Sequence, residues 1–186
     1  MRKGTLYVFT GPSGAGKGTL LDLLREQDDR LYYSISATTR APRAGETDGV
    51  QYYFLTKEQF ERKIAQNAFL EHACYVDNYY GTLEAPVEQK LDEGYDVILE
   101  IEVQGAMQVH EKRPDAVMVF IAPPSFEELA ARLRGRGTED EDKVQKRLAT
   151  AREELSQKDA FDYVVINDKI ERALDEIRGI MSARRA

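Results

Sequence analysis

The first segment that could do chemistry is a glycine-rich loop near the N-terminus. Its residues match the spacing G-x-x-x-x-G-K and are Gly11, Pro12, Ser13, Gly14, Ala15, Gly16 and Lys17. Glycines allow a backbone to wrap around a phosphate, so that successive N–H groups and the following helix N-terminus point at it. The Lys17 ammonium adds a positive charge for the β- and γ-phosphates. The loop therefore predicts a site for a nucleoside triphosphate.

The hydroxyl that usually follows the lysine is displaced by one residue. The strict pattern has Ser or Thr directly after the lysine, whereas here Gly18 separates Lys17 from Thr19. Thr19 is therefore the nearest hydroxyl that could ligate a metal ion accompanying the nucleotide. Two alternatives stay open: Thr19 is a metal ligand, or the nucleotide and water hold the metal. Both keep Gly18 and Thr19 within the predicted nucleotide site.

A second cluster with phosphate-binding chemistry lies further along the chain and is rich in arginine, hydroxyl and tyrosine side chains. Arg40 and Arg43 stand three residues apart, and each guanidinium offers a planar fork that matches two phosphate oxygens. Two arginines alone would be interpreted as part of an exposed turn. Their ordered spacing with Gly45, Glu46 and Tyr52 favours a second phosphate site, which would hold the acceptor of the phosphoryl group.

The composition excludes several classes of function. The chain has 186 residues and a net charge of -7, with a pI near 5.0, which argues against binding nucleic acid through bulk positive charge. No apolar run reaches the roughly 18–20 residues that a membrane span needs, and the N-terminus has no signal-peptide pattern. One cysteine and two histidines do not favour disulfides or a structural zinc site. We expect a single cytoplasmic domain with no nucleic-acid or membrane partner.

The elements that must position these residues follow an α/β pattern. Four continuous apolar runs predict buried strands, and stretches with apolar residues at helical spacing separate them. The predicted strands are residues 5–10, 97–103, 117–122 and 163–166, and the helical stretches are residues 19–26, 86–93, 126–133, 143–155 and 170–181. Continuous apolar strands are typical of a parallel sheet with helices on both faces. The glycine-rich loop would connect the first strand to the first helix.

Two segments depart from this alternation. Residues 34–80 are rich in Tyr, Thr, Gly and Arg and predict short antiparallel strands, which we interpret as an inserted second lobe. Residues 135–142 form a polar, glycine-containing stretch between two helical segments. This stretch is either an ordinary exposed loop or a mobile lid.

The order of these motifs resembles the guanylate kinase family. The segment 38–54 reads T-T-R-x-P-R-x-G-E-x-x-G-x-x-Y-x-F and is similar to that family's signature at every fixed position. Further matching segments follow in the family order over nearly the whole chain. They are residues 69–73 (FLEHA), 78–82 (NYYGT), 99–105 (LEIEVQG), 123–125 (PPS), 132–133 (RL), 135–139 (GRGTE), 146–148 (KRL) and 165–168 (VIND).

The resemblance implies a fold and an activity. The fold would combine a P-loop core, an inserted mixed β/α lobe that binds the nucleoside monophosphate, and a small lid. The core would comprise residues 1–33, 83–134 and 148–186, the lobe residues 34–82 and the lid residues 135–147. The activity would be the Mg²⁺-dependent transfer of the γ-phosphoryl group of ATP to GMP, and to dGMP. Whether the protein is a monomer or a homodimer stays open.

The resemblance also implies which residues contact GMP. The phosphate would be held by Arg40, Arg43, Tyr52 and Tyr80, and the guanine would be read by Ser36, Glu71 and Thr82. The chemistry of the base agrees with this assignment. Guanine carries N1–H and N2–H₂ donors that one carboxylate accepts as a pair, whereas adenine has an acceptor at N1. Glu71 would therefore discriminate strongly between the two bases.

For catalysis, the resemblance implies a set of cationic side chains around the transferred phosphoryl group. These are Lys17, Arg43, Arg132, Arg136 and Arg147. Glu100 and Glu102 stand where many family members have Asp. We expect them to contact the acceptor GMP or the metal and its waters, with the alternative that one of the two is structural. Asn167 is expected to contact the adenine of ATP. A general base is not required, because the acceptor is already a phosphate oxyanion.

Three alternative functions share part of these features. A non-catalytic guanylate-kinase-like binding module usually has a degraded phosphate loop, whereas Lys17 is present here. A monophosphate kinase of another base preference shares residues 16–19, but Glu71 and segment 38–54 favour guanine. A GTPase switch would need a D-x-x-G motif after the loop and an N-K-x-D base reader, and residues 167–169 are Asn-Asp-Lys instead. ATP:GMP phosphotransfer remains the hypothesis.

Overall fold

The computed structural model describes residues 2–135 and 141–185, which fold as two compact units. Unit 1 comprises the N-terminal residues up to Leu6 together with Arg30–Leu99 and Gln104–Ala116. Unit 2 comprises Tyr7–Asp29, Glu100–Val103 and the described chain from Val117 onward.

The described residues form nine strands and seven α-helices. The strands are β1 (Leu6–Thr10), β2 (Leu31–Tyr33), β3 (Ala37–Thr38), β4 (Tyr53–Phe54), β5 (Phe69–Tyr75), β6 (Asn78–Leu83), β7 (Asp96–Glu100), β8 (Val117–Ala122) and β9 (Tyr163–Ile166). The helices are α1 (Lys17–Gln27), α2 (Lys57–Ala65), α3 (Glu84–Asp92), α4 (Val103–Lys112), α5 (Phe126–Gly135), α6 (Glu141–Ser156) and α7 (Ile170–Arg185). A short 3₁₀ helix spans Lys158–Ala160.

Unit 2 is built on parallel strands. β8 pairs with β1, with Tyr7 opposite Val117, and also with β9, with Val119 opposite Tyr163. Every residue of β1 and β8 is buried, as expected for strands whose two faces are both covered. The sequence LYVFT of β1 ends directly before the glycine-rich loop, so the loop leaves from the carboxyl end of a buried strand.

Unit 1 contains a parallel pair and a mixed sheet. β2 pairs with β7 in parallel, and the mixed sheet has the strand order β4-β3-β6-β5. In the mixed sheet β3 and β4 are parallel, whereas β6 is antiparallel to both of its neighbours. Phe60 of α2 stacks on Phe69 of β5 with ring centroids 4.3 Å apart, and both rings are buried. The predicted α/β fold with a parallel sheet and an additional mixed sheet is confirmed.

The predicted strand over residues 97–103 is wrong at its end. β7 stops at Glu100, and α4 begins at Val103, a helix that the strand-like alternation of VILEIEV concealed. The Ile101 N–H still donates to the Phe9 carbonyl at 3.2 Å. From there onward the buried residues Val103, Ala106 and Val109 recur at helical spacing. The helical signal therefore starts at the last residue of the predicted strand. Glu100 is the final residue of β7, and Glu102 lies in the turn before α4.

The hairpin that joins β5 to β6 has an unfavourable turn. Tyr75 pairs with Asn78, and the two residues between them, Val76 and Asp77, have φ values of 46° and 66°. A turn with two positive φ values favours Asn-Gly, because a β-branched side chain is strained in the left-handed region. Val76 is also 71% exposed, so its side chain contributes little packing.

We therefore expect Val76→Asn to stabilise the protein by about 1 kcal/mol, equivalent to a rise of roughly 2–4 °C in Tm. Thermal unfolding followed by circular dichroism measures the change. Val50→Asn is the matched control, since Val50 is also exposed, at 59%, and does not have a positive φ. Equal Tm changes in the two variants would contradict the assignment of strain to the turn.

Candidate functional site

The glycine-rich loop of unit 2 has the backbone shape that phosphate binding requires. Gly16 caps α1 in the left-handed conformation with φ 85°, and a Cβ at this position would lie 2.5 Å from Asn167 Nδ2. Gly11 has φ 142°, and a Cβ there would lie 2.0 Å from the Ile121 carbonyl oxygen. Glycine is therefore required at both ends of the loop. Between them the Ala15 N–H donates to the Pro12 carbonyl at 3.1 Å, which closes the loop.

Lys17 is folded back over this loop. Its Nζ donates to the carbonyl oxygen of Gly11 at 2.6 Å and to that of Pro12 at 3.2 Å. Burial lowers the pKa of the Lys17 ammonium, while the carboxylates of Glu100, Glu154 and Glu102 oppose that shift. A cation held in a partly dehydrated site interacts more strongly with an incoming phosphate than a cation in bulk water does. The geometry therefore supports a phosphate-binding role for Lys17.

Glu154 is a residue of this site that the sequence analysis missed. It lies on α6, more than a hundred residues from the loop, and is half-buried. Burial raises the pKa of its carboxyl, whereas the nearby Lys17 ammonium lowers it. In the sequence it is only one of two consecutive glutamates on an amphipathic helix, and such glutamates usually lie on the solvent-exposed face.

A cavity of about 380 Å³ lies beside the loop within unit 2. It is lined by Gly14, Gly16, Thr19, Arg132, Asn167, Asp168 and Ile170. Asn167 is buried; its backbone N–H donates to the Ala122 carbonyl at 2.8 Å, and its Nδ2 donates to the Ala15 carbonyl at 2.8 Å. Ile170 adds an apolar side chain that is 38% exposed. The cavity thus combines the loop, a cation and an apolar surface. The sequence analysis assigned neither Asp168 nor Ile170 to a binding site. Asp168 belonged to a segment that matches the family, and Ile170 was one of the apolar residues at helical spacing in residues 170–181.

Two arginines of the predicted catalytic set, Arg132 and Arg147, belong to the described residues of unit 2. Arg147 of α6 donates through Nη2 to the Ser13 hydroxyl of the loop at 2.6 Å. Arg132 of α5 donates through Nη2 to Glu128 Oε1 at 2.7 Å and to the Asn167 carbonyl at 3.4 Å. Arg136 lies outside the described residues, as do 137–140 of the predicted lid. The helices that carry Arg132 and Arg147 share a core cluster: Leu129, Ala130, Leu133, Val144, Leu148 and Ala151.

In unit 1 the two arginines predicted to bind a phosphate are arranged around Glu46. Arg40 donates through Nη1 to Glu46 Oε2 at 3.0 Å and through Nη2 to Glu46 Oε1 at 2.9 Å. The Arg43 backbone N–H donates to the same Glu46 Oε2 at 2.7 Å. The hydrogen bond from Arg40 is the main reason that the pKa of Glu46 is lowered. Glu46, which the sequence analysis used only as a spacing marker, therefore holds the two arginines together.

Two tyrosines complete this cluster. The Arg40 guanidinium lies 5.4 Å from the centre of the Tyr52 ring, and the Tyr52 and Tyr80 rings meet edge-on at 6.3 Å. A guanidinium over a ring face gains cation–π attraction. The structure thus brings together Arg40, Arg43, Tyr52 and Tyr80, the four residues that sequence resemblance assigned to one phosphate.

The predicted base-reading residues Glu71 and Thr82 contact each other in unit 1. The Thr82 hydroxyl donates to Glu71 Oε1 at 2.6 Å. Both residues are buried: Thr82 is 1% exposed and Glu71 is 7% exposed. A β-bulge between Phe69 and Glu71 shifts the pairing of β5 with β6, so that Glu71 stands opposite Thr82. Bulges of this kind re-aim side chains at functional sites. Ser36, the third predicted reader, is half-buried just before β3, and its backbone carbonyl accepts a hydrogen bond from the Tyr53 N–H at 2.9 Å.

Glu100 and Glu102, predicted to act on the acceptor or the metal, belong to unit 2 together with Lys17. Among residues 2–135 and 141–185, no group of three or more His, Cys, Asp or Glu side chains could hold a metal ion by itself. Within the same residues no helix is both long and apolar enough to cross a membrane.

Comparisons with known proteins show the family of this chain. A model of the guanylate kinase family matches residues 3–184. The chain is 55% identical over 181 residues to a guanylate kinase of Rubrobacter xylanophilus, covering 97% of this chain and 95% of that protein. It is 51% identical over 181 residues to a guanylate kinase of Halalkalibacterium halodurans, covering 97% and 89%. Among solved structures it is similar to a guanylate kinase from Anaplasma phagocytophilum, with a TM-score of 0.74, 34% identity and coverage of 99% and 87%.

Proposed function

The chain belongs to the guanylate kinase family, as its motifs predicted, and from that premise we propose that it transfers the γ-phosphoryl group of ATP to GMP. The observation that carries the proposal is the buried Glu71 carboxylate with the Thr82 hydroxyl on one of its oxygens. A buried carboxylate accepts a pair of N–H donors, and guanine presents such a pair at N1 and N2. The products would be ADP and GDP, and dGMP would be accepted because none of the assigned contacts is to the ribose hydroxyls.

On the donor side, we assign ATP to unit 2. The loop from Gly11 to Thr19 would surround the phosphates with its N–H groups, and Lys17 would exchange its carbonyl partners for phosphate oxygens. The cavity beside the loop would receive the adenosine, with Asn167 contacting the adenine. Ile170 offers an apolar surface of the kind that nucleotide bases pack against.

On the acceptor side, we assign GMP to unit 1. Arg40, Arg43, Tyr52 and Tyr80 would bind its phosphate, and Ser36, Glu71 and Thr82 would read the base. Because Glu46 already orients Arg40 and the Arg43 backbone, little side-chain freedom would be lost when the phosphate binds. Glu100 and Glu102 would orient the acceptor phosphate or the metal waters.

The chemistry would require positioning and positive charge and no proton abstraction. A GMP phosphate oxygen would attack the γ-phosphorus of ATP in line with the leaving ADP oxygen, forming one P–O bond as the other breaks. Lys17, Arg43, Arg132, Arg136 and Arg147 would neutralise the equatorial oxygens as charge spreads over them. Exclusion of water by a lid over residues 135–147 would keep the phosphoryl group from hydrolysis.

The oxygen donors of unit 2 fit Mg²⁺. This ion usually binds through one or two protein oxygens together with substrate phosphates and water, and such a site needs no cluster of three protein ligands. The candidates are Thr19, which is exposed in the first turn of α1, and the carboxylates of Glu100 and Glu102. When bound with ATP, Mg²⁺ would neutralise charge on the β- and γ-phosphate oxygens.

We further propose that the reaction takes place in the cytoplasm, in a protein without a nucleic-acid or membrane partner. The single cysteine, Cys74, is exposed and forms no disulfide, which suits a reducing compartment. The net charge of -7 would disfavour binding to a polyanion.

A coupled assay of ADP formation tests the function. With ATP and Mg²⁺ present, we expect GMP and dGMP to support turnover, and AMP and UMP to give kcat/KM values lower by at least about 10³-fold. Phosphorylation of AMP but not GMP would assign another base preference. GMP binding in calorimetry without turnover on any acceptor would instead identify a non-catalytic binding module.

A further inference from the structure

We propose that helix α4 sets the position of the Glu71 carboxylate, and that Gln108 on this helix is a positioning residue for base discrimination. This inference deepens the proposed function and rests on it, since it concerns the residue that would read guanine. Its basis is a pair of contacts from α4 to β5, made by Gln108 and Gly105.

Gln108 occupies the edge of the mixed sheet as a neighbouring strand would. β5 is an edge strand, and the backbone of its residue His72 uses both polar groups on the Gln108 side-chain amide. The His72 N–H donates to Gln108 Oε1 at 3.1 Å, and Gln108 Nε2 donates to the His72 carbonyl at 3.1 Å. A primary amide side chain carries an acceptor oxygen and a donor nitrogen side by side, so it can make both hydrogen bonds at once. The residue it holds directly follows Glu71.

Gly105 lies one helical turn earlier, on the same face of α4, and contacts the carboxylate itself. A Cβ at this position would lie 3.0 Å from Glu71 Oε2, 3.4 Å from its Cδ and 3.5 Å from its Cγ. Glycine inside a helix is less stable than alanine, because its backbone loses more conformational freedom on folding. The close approach of the Glu71 carboxylate explains why a glycine occupies this position in the helix.

The Glu71 carboxylate is therefore held from two sides. β6 contributes the Thr82 hydroxyl on Oε1, and α4 contributes the Gly105 backbone surface beside Oε2. The bulge next to Glu71 interrupts regular pairing between β5 and β6. The strand pair alone would leave this segment less constrained, and the Gln108 amide supplies hydrogen bonds on the opposite edge. Discrimination by paired hydrogen bonds depends on this alignment.

The test compares GMP with IMP, which lacks the 2-amino group. In Gln108→Met, which removes both hydrogen bonds at similar volume, we expect KM for GMP to rise about tenfold. The preference for GMP over IMP, as a ratio of kcat/KM values, should fall by about the same factor, with KM for ATP unchanged. Gln89→Met is the matched control, because Gln89 is an exposed helical residue of unit 1. Within the part of the chain that the structure describes, its side-chain amide hydrogen-bonds Glu93.

A purely structural role for Gln108 would lower Tm and affect both acceptors equally, so an unchanged GMP:IMP ratio would overturn the proposal. Gly105→Ala provides a second test if Gln108→Met does not fold. Alanine favours the helix but displaces the carboxylate, so the ratio should fall here as well, and an unchanged ratio would overturn the proposal equally. Absence of GMP kinase activity in the wild-type protein would refute the proposed function. An active wild type whose variants keep the GMP:IMP ratio would refute only the role of α4.

Discussion

Replacing Lys17 with alanine is expected to lower kcat by about 10²–10³-fold, the loss found when one preorganised charge-stabilising donor is removed from an active site. In the structure the ammonium bonds only neutral carbonyl oxygens of the loop, Gly11 and Pro12, among its described hydrogen bonds. Its charge is therefore available for a phosphate without breaking a hydrogen-bonded ion pair. The effect should appear chiefly in kcat, because charge on the phosphoryl oxygens is redistributed in the transition state.

The fold should survive this substitution. Lys17 begins α1, while the core of that helix is made by Leu20, Leu21 and Leu24, all of them buried. Steady-state kinetics with saturating ATP and GMP, together with Tm, measure the two effects separately. Lys158→Ala, at an exposed lysine of unit 2, serves as the control and should behave as wild type. Near-normal kcat in purified Lys17→Ala would sink the assignment of the loop as the phosphate site.

Glu71→Gln is expected to lower kcat/KM for GMP by about 10²–10³-fold and to leave KM for ATP almost unchanged. Glutamine replaces one carboxylate oxygen with an NH₂ donor, which would face the N–H donors of guanine. A buried mismatch between two donors costs much more than the loss of one exposed hydrogen bond. The substitution conserves volume, so the contact with Gly105 is retained.

Kinetics with each substrate varied in turn check this prediction, and titration calorimetry with GMP measures binding directly. Glu58→Gln, at an exposed position of α2 in the same unit, is the control for loss of one negative charge. A kcat/KM for GMP equal to that of wild type would show that another residue reads the base. Equal losses for GMP and ATP would instead indicate a general structural defect.

The parts of the fold that could be predicted are those in which pattern and packing agree locally. β1, the loop and the start of α1 are contiguous, and each carries its own signal: an apolar run, spaced glycines and leucines at helical spacing. The end of β7 could not be predicted, because Leu99, Ile101 and Val103 continue the same alternation past Glu100. Which of these residues still pairs with a strand, and which begins a helix, depends on the neighbours that each meets.

The sequence by itself determined the class of chemistry, because the phosphate-binding loop and the arginine motif are each complete within about 20 consecutive residues. Their family resemblance extended that prediction to GMP and to individual side chains. Only the tertiary structure decided that Glu154 approaches Lys17 and that Glu46 holds Arg40. It also decided that Gly105 lies beside the Glu71 carboxylate and that Gln108 bonds the backbone of the next residue, His72. A glutamine or a glycine on a helix has no distinctive pattern. Its role arises when packing removes water and places it against one particular backbone group or carboxylate, and residue type alone does not encode that.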